Sequence, residues 1–184
     1  MSRLILVRHG RAAAGWDADP DPGLDDVGSA QAVAAAEALA PLGPLPIVVS
    51  PLRRTRETAR PLEERWGVTA LVEPRVGEIA SPEGMGLEER GIWLRGAMAG
   101  SWADMEEAYG AWRDDVVDFL LGLRADTVVV SHFIAINAAV GRATGDDHVV
   151  CHAVQNCSRT VLESDGAQLR VVELGEQADQ TIVG

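Results

Sequence analysis

Three short apolar runs limit what this chain can fold into. Leu4-Ile5-Leu6-Val7, Ile47-Val48-Val49 and Thr127-Val128-Val129-Val130 show no apolar–polar alternation. A strand with one wet face alternates, whereas a strand covered on both faces does not. The runs therefore predict buried strands of a parallel sheet. The segments between them carry helix signals. Asp25 can cap a helix that runs through an Ala-rich stretch to about Ala40, ended by Pro41, Gly43, Pro44 and Pro46. Ser50-Pro51 predicts a second start, a capping side chain followed by proline at the first helical position, with the helix reaching about Trp66. Leu87 to Met98 reads as helix. Ser101-x-x-Asp104 resembles a capping box ahead of an apolar stripe at Ala108, Trp112, Val116, Leu120 and Leu123. Ile134 to Thr144 reads as a last helix, with Gly145 as its stop. Leu71-Val72-Glu73 predicts a short strand and 74–86 an irregular loop. Thr160 to Glu163 and Leu169 to Leu174 flank Asp165-Gly166, a hairpin signal. Strands alternating with helices predict an α/β fold: a single-domain three-layer sandwich, its central sheet mostly parallel, with helices on both faces.

The chain's 184 residues suit one domain with a sizeable core. No repeat or linker divides it; the domain is expected over 1–175, with a polar, loosely held tail over 176–184. The net charge is −12, and every basic side chain is Arg. An acidic surface argues against nucleic acid or an anionic membrane as partner. Cys151 and Cys157 are the only cysteines, so a disulfide framework is not expected and a cytoplasmic setting is. No charged n-region leads into a long apolar core, so a signal peptide is not expected either.

All three apolar runs lead into polar residues: Arg8-His9, Ser50 with Arg54 beyond it, and Ser131-His132. Open α/β sheets place ligand sites at the carboxyl ends of their strands. If the three strands are parallel neighbours, two imidazoles and two guanidiniums converge on one rim. A helix N-terminus beside them would add free N–H groups and partial positive charge. That constellation suits a phosphoryl group. Arg53, Arg56 and Arg60 read instead as a solvated helix face.

These segments carry a family resemblance. Leu6-Val7-Arg8-His9-Gly10, Leu24 to Ala32, Ser50 to Ala59, Val128 to His132, and Asn156 to Thr160 together resemble the histidine phosphatase superfamily, which contains the cofactor-dependent phosphoglycerate mutases. The resemblance implies a phosphoglycerate mutase-like fold and metal-independent hydrolysis of a small phosphomonoester, with no cofactor. It implies that His9 is the nucleophile, that Arg8, Arg54 and His132 bind the phosphoryl oxygens, and that Glu78 is the proton donor. The chemistry is reasonable in itself. Phosphate monoesters hydrolyse extremely slowly without a catalyst, and transfer through an imidazole divides the reaction into two easier steps. Guanidiniums keep that imidazole neutral and offset charge on the equatorial oxygens. A carboxyl beside a phosphate dianion holds a proton for the leaving group.

Several positions depart from the family's common pattern. Arg11-Ala12 stands where Glu-Thr or Glu-Ser is frequent, Gly15 where Asn often helps hold phosphate, and Phe133 where Gly usually follows the second histidine. The stretch after Glu78 is compressed, which makes Glu83 the nearest substitute for the acid. These departures leave substrate identity open, along with two alternatives: a phosphoglycerate mutase-type phosphomutase, and a non-catalytic module binding phosphorylated ligands. His148-x-x-Cys151-His152 with Cys157 matches no common zinc spacing, so no metal is expected. Ser50 and Ser131 lack a nucleophile-elbow motif, and no P-loop exists.

Overall fold

A computed structural model describes residues 1–15 and 18–178. Its six-stranded sheet has the order β3-β2-β4-β1-β5-β6. β1 (Ser2–Arg8), β2 (Ile47–Val49), β3 (Leu71–Val72) and β4 (Thr127–Ser131) are mutually parallel. β5 (Arg159–Ser164) and β6 (Leu169–Glu173) close one side as the antiparallel hairpin, with Gly166 of the turn at φ 91°. The sheet is thus mostly parallel, as its apolar runs require.

The three-layer reading is visible residue by residue. Ile5, Val7, Ile47, Val49, Val128 and Val130 face one apolar cluster, together with Ala36 and Leu39 of α1 (Asp26–Leu39) and Ala59 and Leu62 of α2 (Arg53–Trp66). Their neighbours Leu4, Leu6, Val48 and Val129 face the other cluster. That cluster takes in Leu94 of α3 (Leu87–Met98), Val116, Val117 and Leu120 of α4 (Glu107–Gly122), and most of α5 (Phe133–Thr144). Side chains alternate across a strand, so only a strand covered on both faces can be apolar throughout.

Local signals held in some places and failed in others. Asp25 caps α1 by accepting from the Gly28 amide at 2.7 Å. Gly145, at φ 72°, ends α5 in the left-handed conformation that glycine tolerates. Ser50 does not cap α2. The helix begins at Arg53 with Leu52 as its cap residue, and the Arg53 amide donates to Asp21 Oδ1 at 2.8 Å instead. Ser101 does not open α4 either. It precedes a 3-10 turn over Trp102–Asp104 and makes no side-chain cap. Its backbone is held by a bridge to His148, and that long-range pairing overrides the local cap signal.

Arg53 and Arg60 form surface pairs with Glu57 and Glu64, as a solvated face should. Residues 176–178, within the stretch read as a tail, pair with 153–155 through the Val154–Gln177 bridge and the Ala178 amide on the Ala153 carbonyl. Residues 179–184, and Trp16 and Asp17 of the loop after β1, lie outside the described residues. Among those described, no helix is long and apolar enough to cross a membrane.

Candidate active site

The order β2-β4-β1 brings the carboxyl ends of three parallel strands together. Arg8 is the last residue of β1 and stands opposite Ser131 in the register. The His9 amide donates to the Ser131 carbonyl at 3.0 Å, and the Ser50 amide to the Val130 carbonyl at 3.2 Å. Arg8, His9, Ser50, Arg54, Ser131 and His132 are all buried. The rim expected from the strand ends is present.

His9 is held with one nitrogen free. Its Nδ1 lies 2.8 Å from the Gly10 carbonyl, which can only accept, so Nδ1 carries the proton. Nε2 is then a bare lone pair, and it accepts from Arg54 Nε at 3.3 Å. Burial, with the charges of Arg54 and Arg8, pushes the imidazole down to about 3, so it is neutral at physiological pH. The backbone around it is tied from two sides. Asn156 donates from Nδ2 to the His9 carbonyl at 2.8 Å. The Gly10 amide donates to Thr58 Oγ1, whose hydroxyl donates to the Arg54 carbonyl of α2. A side chain at Gly10 would strike the Gly28 carbonyl, its Cβ only 2.6 Å from that oxygen.

Arg8 and Arg54 are the buried arginines among the described residues. Arg11, Arg53, Arg60, Arg65, Arg75, Arg113, Arg142 and Arg159 pair with carboxylates. Among the described residues, Arg8 and Arg54 have no carboxylate within ion-pair distance. Arg8 Nη1 donates to the Val154 carbonyl at 2.7 Å, and its guanidinium lies 4.9 Å from the centre of the Phe133 ring. Arg8 Nε has no partner. Burial pulls Arg8 down to about 10 despite Glu78 nearby, and burial likewise lowers Arg54. A buried cation without a counter-ion is costly, a cost that a bound anion would offset.

His132 stands across from His9, with ring centroids 5.2 Å apart and planes at 61°. Its Nε2 is 2.8 Å from Ser50 Oγ, and its Nδ1 is buried without a partner. Burial first, then His9 and the two arginines, hold it well below the usual histidine range.

Glu78 follows a 3-10 turn over Pro74–Val76 that is fastened to β4 by Ser131 Oγ donating to the Val76 carbonyl at 2.7 Å. Its Oε1 accepts from the Ile79 amide at 3.0 Å, while Oε2 is buried and unpartnered. Burial pushes the carboxyl up to about 7; the Ile79 amide, Arg54, the Ile134 amide of α5 and Arg8 oppose this. Glu78 is therefore near both guanidiniums. Glu83 is exposed and lines a surface hollow with Met85, Glu89, Ile92 and Trp93. It is not among the charges that shift Arg8 or Arg54.

The structure thus gathers Arg8, His9, Arg54, Glu78 and His132. Arg11 turns away, its Nε 2.6 Å from Asp25 Oδ2 at the start of α1. His148 pairs with Asp146, Cys151 with Asn137, and His152 with the Gly175 carbonyl. Among the described residues, no group of His, Cys, Asp and Glu is arranged to hold a metal. Sequence reasoning missed the supporting contacts: Ser50 with His132, Thr58 with Gly10, and Phe133 beneath Arg8. Ser50 and Thr58 lie within the motif segment Ser50–Ala59, but their partners are distant in the chain.

Two imidazoles, two guanidiniums without a carboxylate partner and a carboxyl of raised pKa meet at the strand ends of a mostly parallel α/β sheet. The family model of the histidine phosphatase superfamily (branch 1) matches residues 4–177. The chain belongs to that superfamily. It is 37% identical over 117 residues to the glucosyl-3-phosphoglycerate phosphatase of Mycobacterium tuberculosis, a match covering 61% of this chain and 48% of that protein. The chain thus spans about half the length of the curated relatives it matches. It is also similar to the structure of a mycobacterial glucosyl-3-phosphoglycerate phosphatase in complex with VO3, with 26% identity, a TM-score of 0.74, and 97% and 100% of the two chains covered. A putative alpha-ribazole-5'-P phosphatase from Escherichia coli shares the fold, at 20% identity and a TM-score of 0.76, with 97% and 98% covered.

Proposed function

We propose that this chain is a metal-independent phosphomonoesterase that works through a phosphohistidine on His9. The observation that carries the reading is the unprotonated Nε2 of a neutral, buried His9, its lone pair facing Arg54 Nε at 3.3 Å and near a carboxyl that titrates at about 7.

In the first step Nε2 attacks phosphorus and the P–O ester bond breaks. The leaving oxygen takes the Glu78 proton. Positive charge grows on the imidazole and is shared through Nδ1–H with the Gly10 carbonyl. Arg8, Arg54 and His132 face the charge on the phosphoryl oxygens. In the second step water attacks phosphorus and gives its proton to Glu78. The P–N bond breaks, inorganic phosphate leaves, and both His9 and Glu78 return to their starting states. The cations come from Arg, so no step needs a metal. The named activity of the similar proteins makes glucosyl-3-phosphoglycerate and simpler phosphoglycerates the first substrates to try.

The test is turnover of an aryl phosphate without added metal, with His9→Ala as the comparison, together with trapping of an acid-labile phosphoprotein. The wild type should turn over and trap label on His9, and the variant should do neither. Turnover retained in His9→Ala would sink the proposal. Transfer between phosphoglycerate isomers would point to a phosphomutase. Tight phosphate binding in the absence of turnover would point to a binding module.

A further inference from the structure

A neutral imidazole has one proton to place on two nitrogens, and the consequences at this site are opposite. A bare Nδ1 on His132 would aim a lone pair at an anion, whereas Nδ1–H would donate to it. Burial and the neighbouring cations keep His132 from taking a second proton. What decides its behaviour is therefore the group that Nε2 meets.

That group is Ser50 Oγ, 2.8 Å away, with both residues buried. The hydroxyl's role follows from where its own proton can go. The Leu52 amide, which can only donate, points at Ser50 Oγ at 3.3 Å and takes one of its two lone pairs. Thr55 Oγ1 lies 2.7 Å from the Leu52 carbonyl and 3.0 Å from the Ser50 carbonyl and ties its one proton to this turn. Among the described residues His132 Nε2 is the one acceptor within reach of the hydroxyl proton, so a bare Nε2 satisfies it, whereas Nε2–H would leave that buried proton without a partner. Ser50, the expected cap of α2, thus reaches only the amide of Leu52, ahead of the helix, and directs its hydroxyl at His132.

We propose that Ser50 is the positioning residue that sets the tautomer of His132, donating to Nε2 so that the single ring proton sits on Nδ1, facing the anion. The step from Nδ1–H to phosphoryl binding rests on the phosphatase reading above; the tautomer itself does not. His9 and His132 then form a complementary pair. The Gly10 carbonyl leaves His9 a lone pair to attack with, and the Ser50 hydroxyl leaves His132 a proton to donate. Two adjacent imidazoles, neither charged, take opposite roles because one meets an acceptor and the other a donor.

The test is nitrogen NMR of the histidine-labelled 184-residue chain, whose four histidines are assigned by single substitution. Ring nitrogen shifts separate protonated from bare atoms without any substrate. The wild type should show His132 protonated at Nδ1 and bare at Nε2. Ser50→Ala should move it to the Nε2–H form or to a mixture. Vanadate affinity should weaken roughly tenfold in that variant, the scale of one hydrogen bond to a charged group. A wild-type His132 protonated at Nε2 would overturn the proposal without any variant. So would a Ser50→Ala spectrum with the Nδ1–H form unchanged. Absence of aryl phosphate turnover in the wild type would count against the phosphatase reading alone, since the tautomer is read on resting protein.

Discussion

Replacing Glu78 by Gln removes the one proton of the site that titrates near neutrality while keeping the side chain's size. With the carboxyl at about 7, the acid form is about half populated at pH 7 and about a tenth at pH 8. An alkyl phosphate, whose leaving group must be protonated, should therefore lose kcat/KM about tenfold per pH unit above 7. At the acid end His9, held down to about 3, keeps its lone pair, so the nucleophile is not lost until pH approaches that value. Gln carries no transferable proton. Glu78→Gln should slow alkyl phosphates by about two to four orders of magnitude, the usual contribution of a positioned acid, and should flatten the alkaline limb. An aryl phosphate leaves without much help and should slow by less than about tenfold. The assay is a pH series of kcat/KM on paired alkyl and aryl substrates for both proteins. Equal slowing of the two substrates, or an alkaline limb that survives in Glu78→Gln, would refute the assignment and move the acid elsewhere.

Two other perturbations probe the supports. Ser131→Ala leaves the Val76 carbonyl without its donor and loosens the turn that carries Glu78; it should cost about 1–3 kcal/mol in urea unfolding and slow alkyl phosphates more than it weakens vanadate binding. Phe133→Leu keeps an apolar side chain but removes the ring beneath Arg8. It should weaken vanadate affinity roughly two- to fivefold, in line with a cation–π contact of about 0.5–1 kcal/mol, and a titration that leaves the affinity unchanged would mean that the Val154 carbonyl alone orients the guanidinium.

The layer architecture could be read from the chain because burial on both faces leaves a local mark. Leu4 to Val7 and Val128 to Val130 are apolar at every position, and each alternate residue belongs to a different core. The start of α1 and the end of α5 were also legible, since Asp25 and Gly145 act within one turn of their own position. The two failures share a cause. Ser50 and Ser101 carry good cap chemistry, but each is engaged by residues far along the chain, His132 in one case and His148 in the other. Local propensity is a weak prior against a tertiary contact.

What the sequence determined by itself was the kind of sheet and the residues at its strand ends: Arg8, His9, Arg54 and His132 follow apolar runs that can only be buried strands. What the tertiary structure decided was the state of those residues. That His9 is neutral, that Glu78 holds its proton to about pH 7, and that His132 faces inward with Nδ1 unpartnered all depend on groups brought close by strand order. Strand order follows from long-range pairing, and protonation follows from desolvation and charge at short distance. Neither quantity is carried by neighbouring letters of the chain.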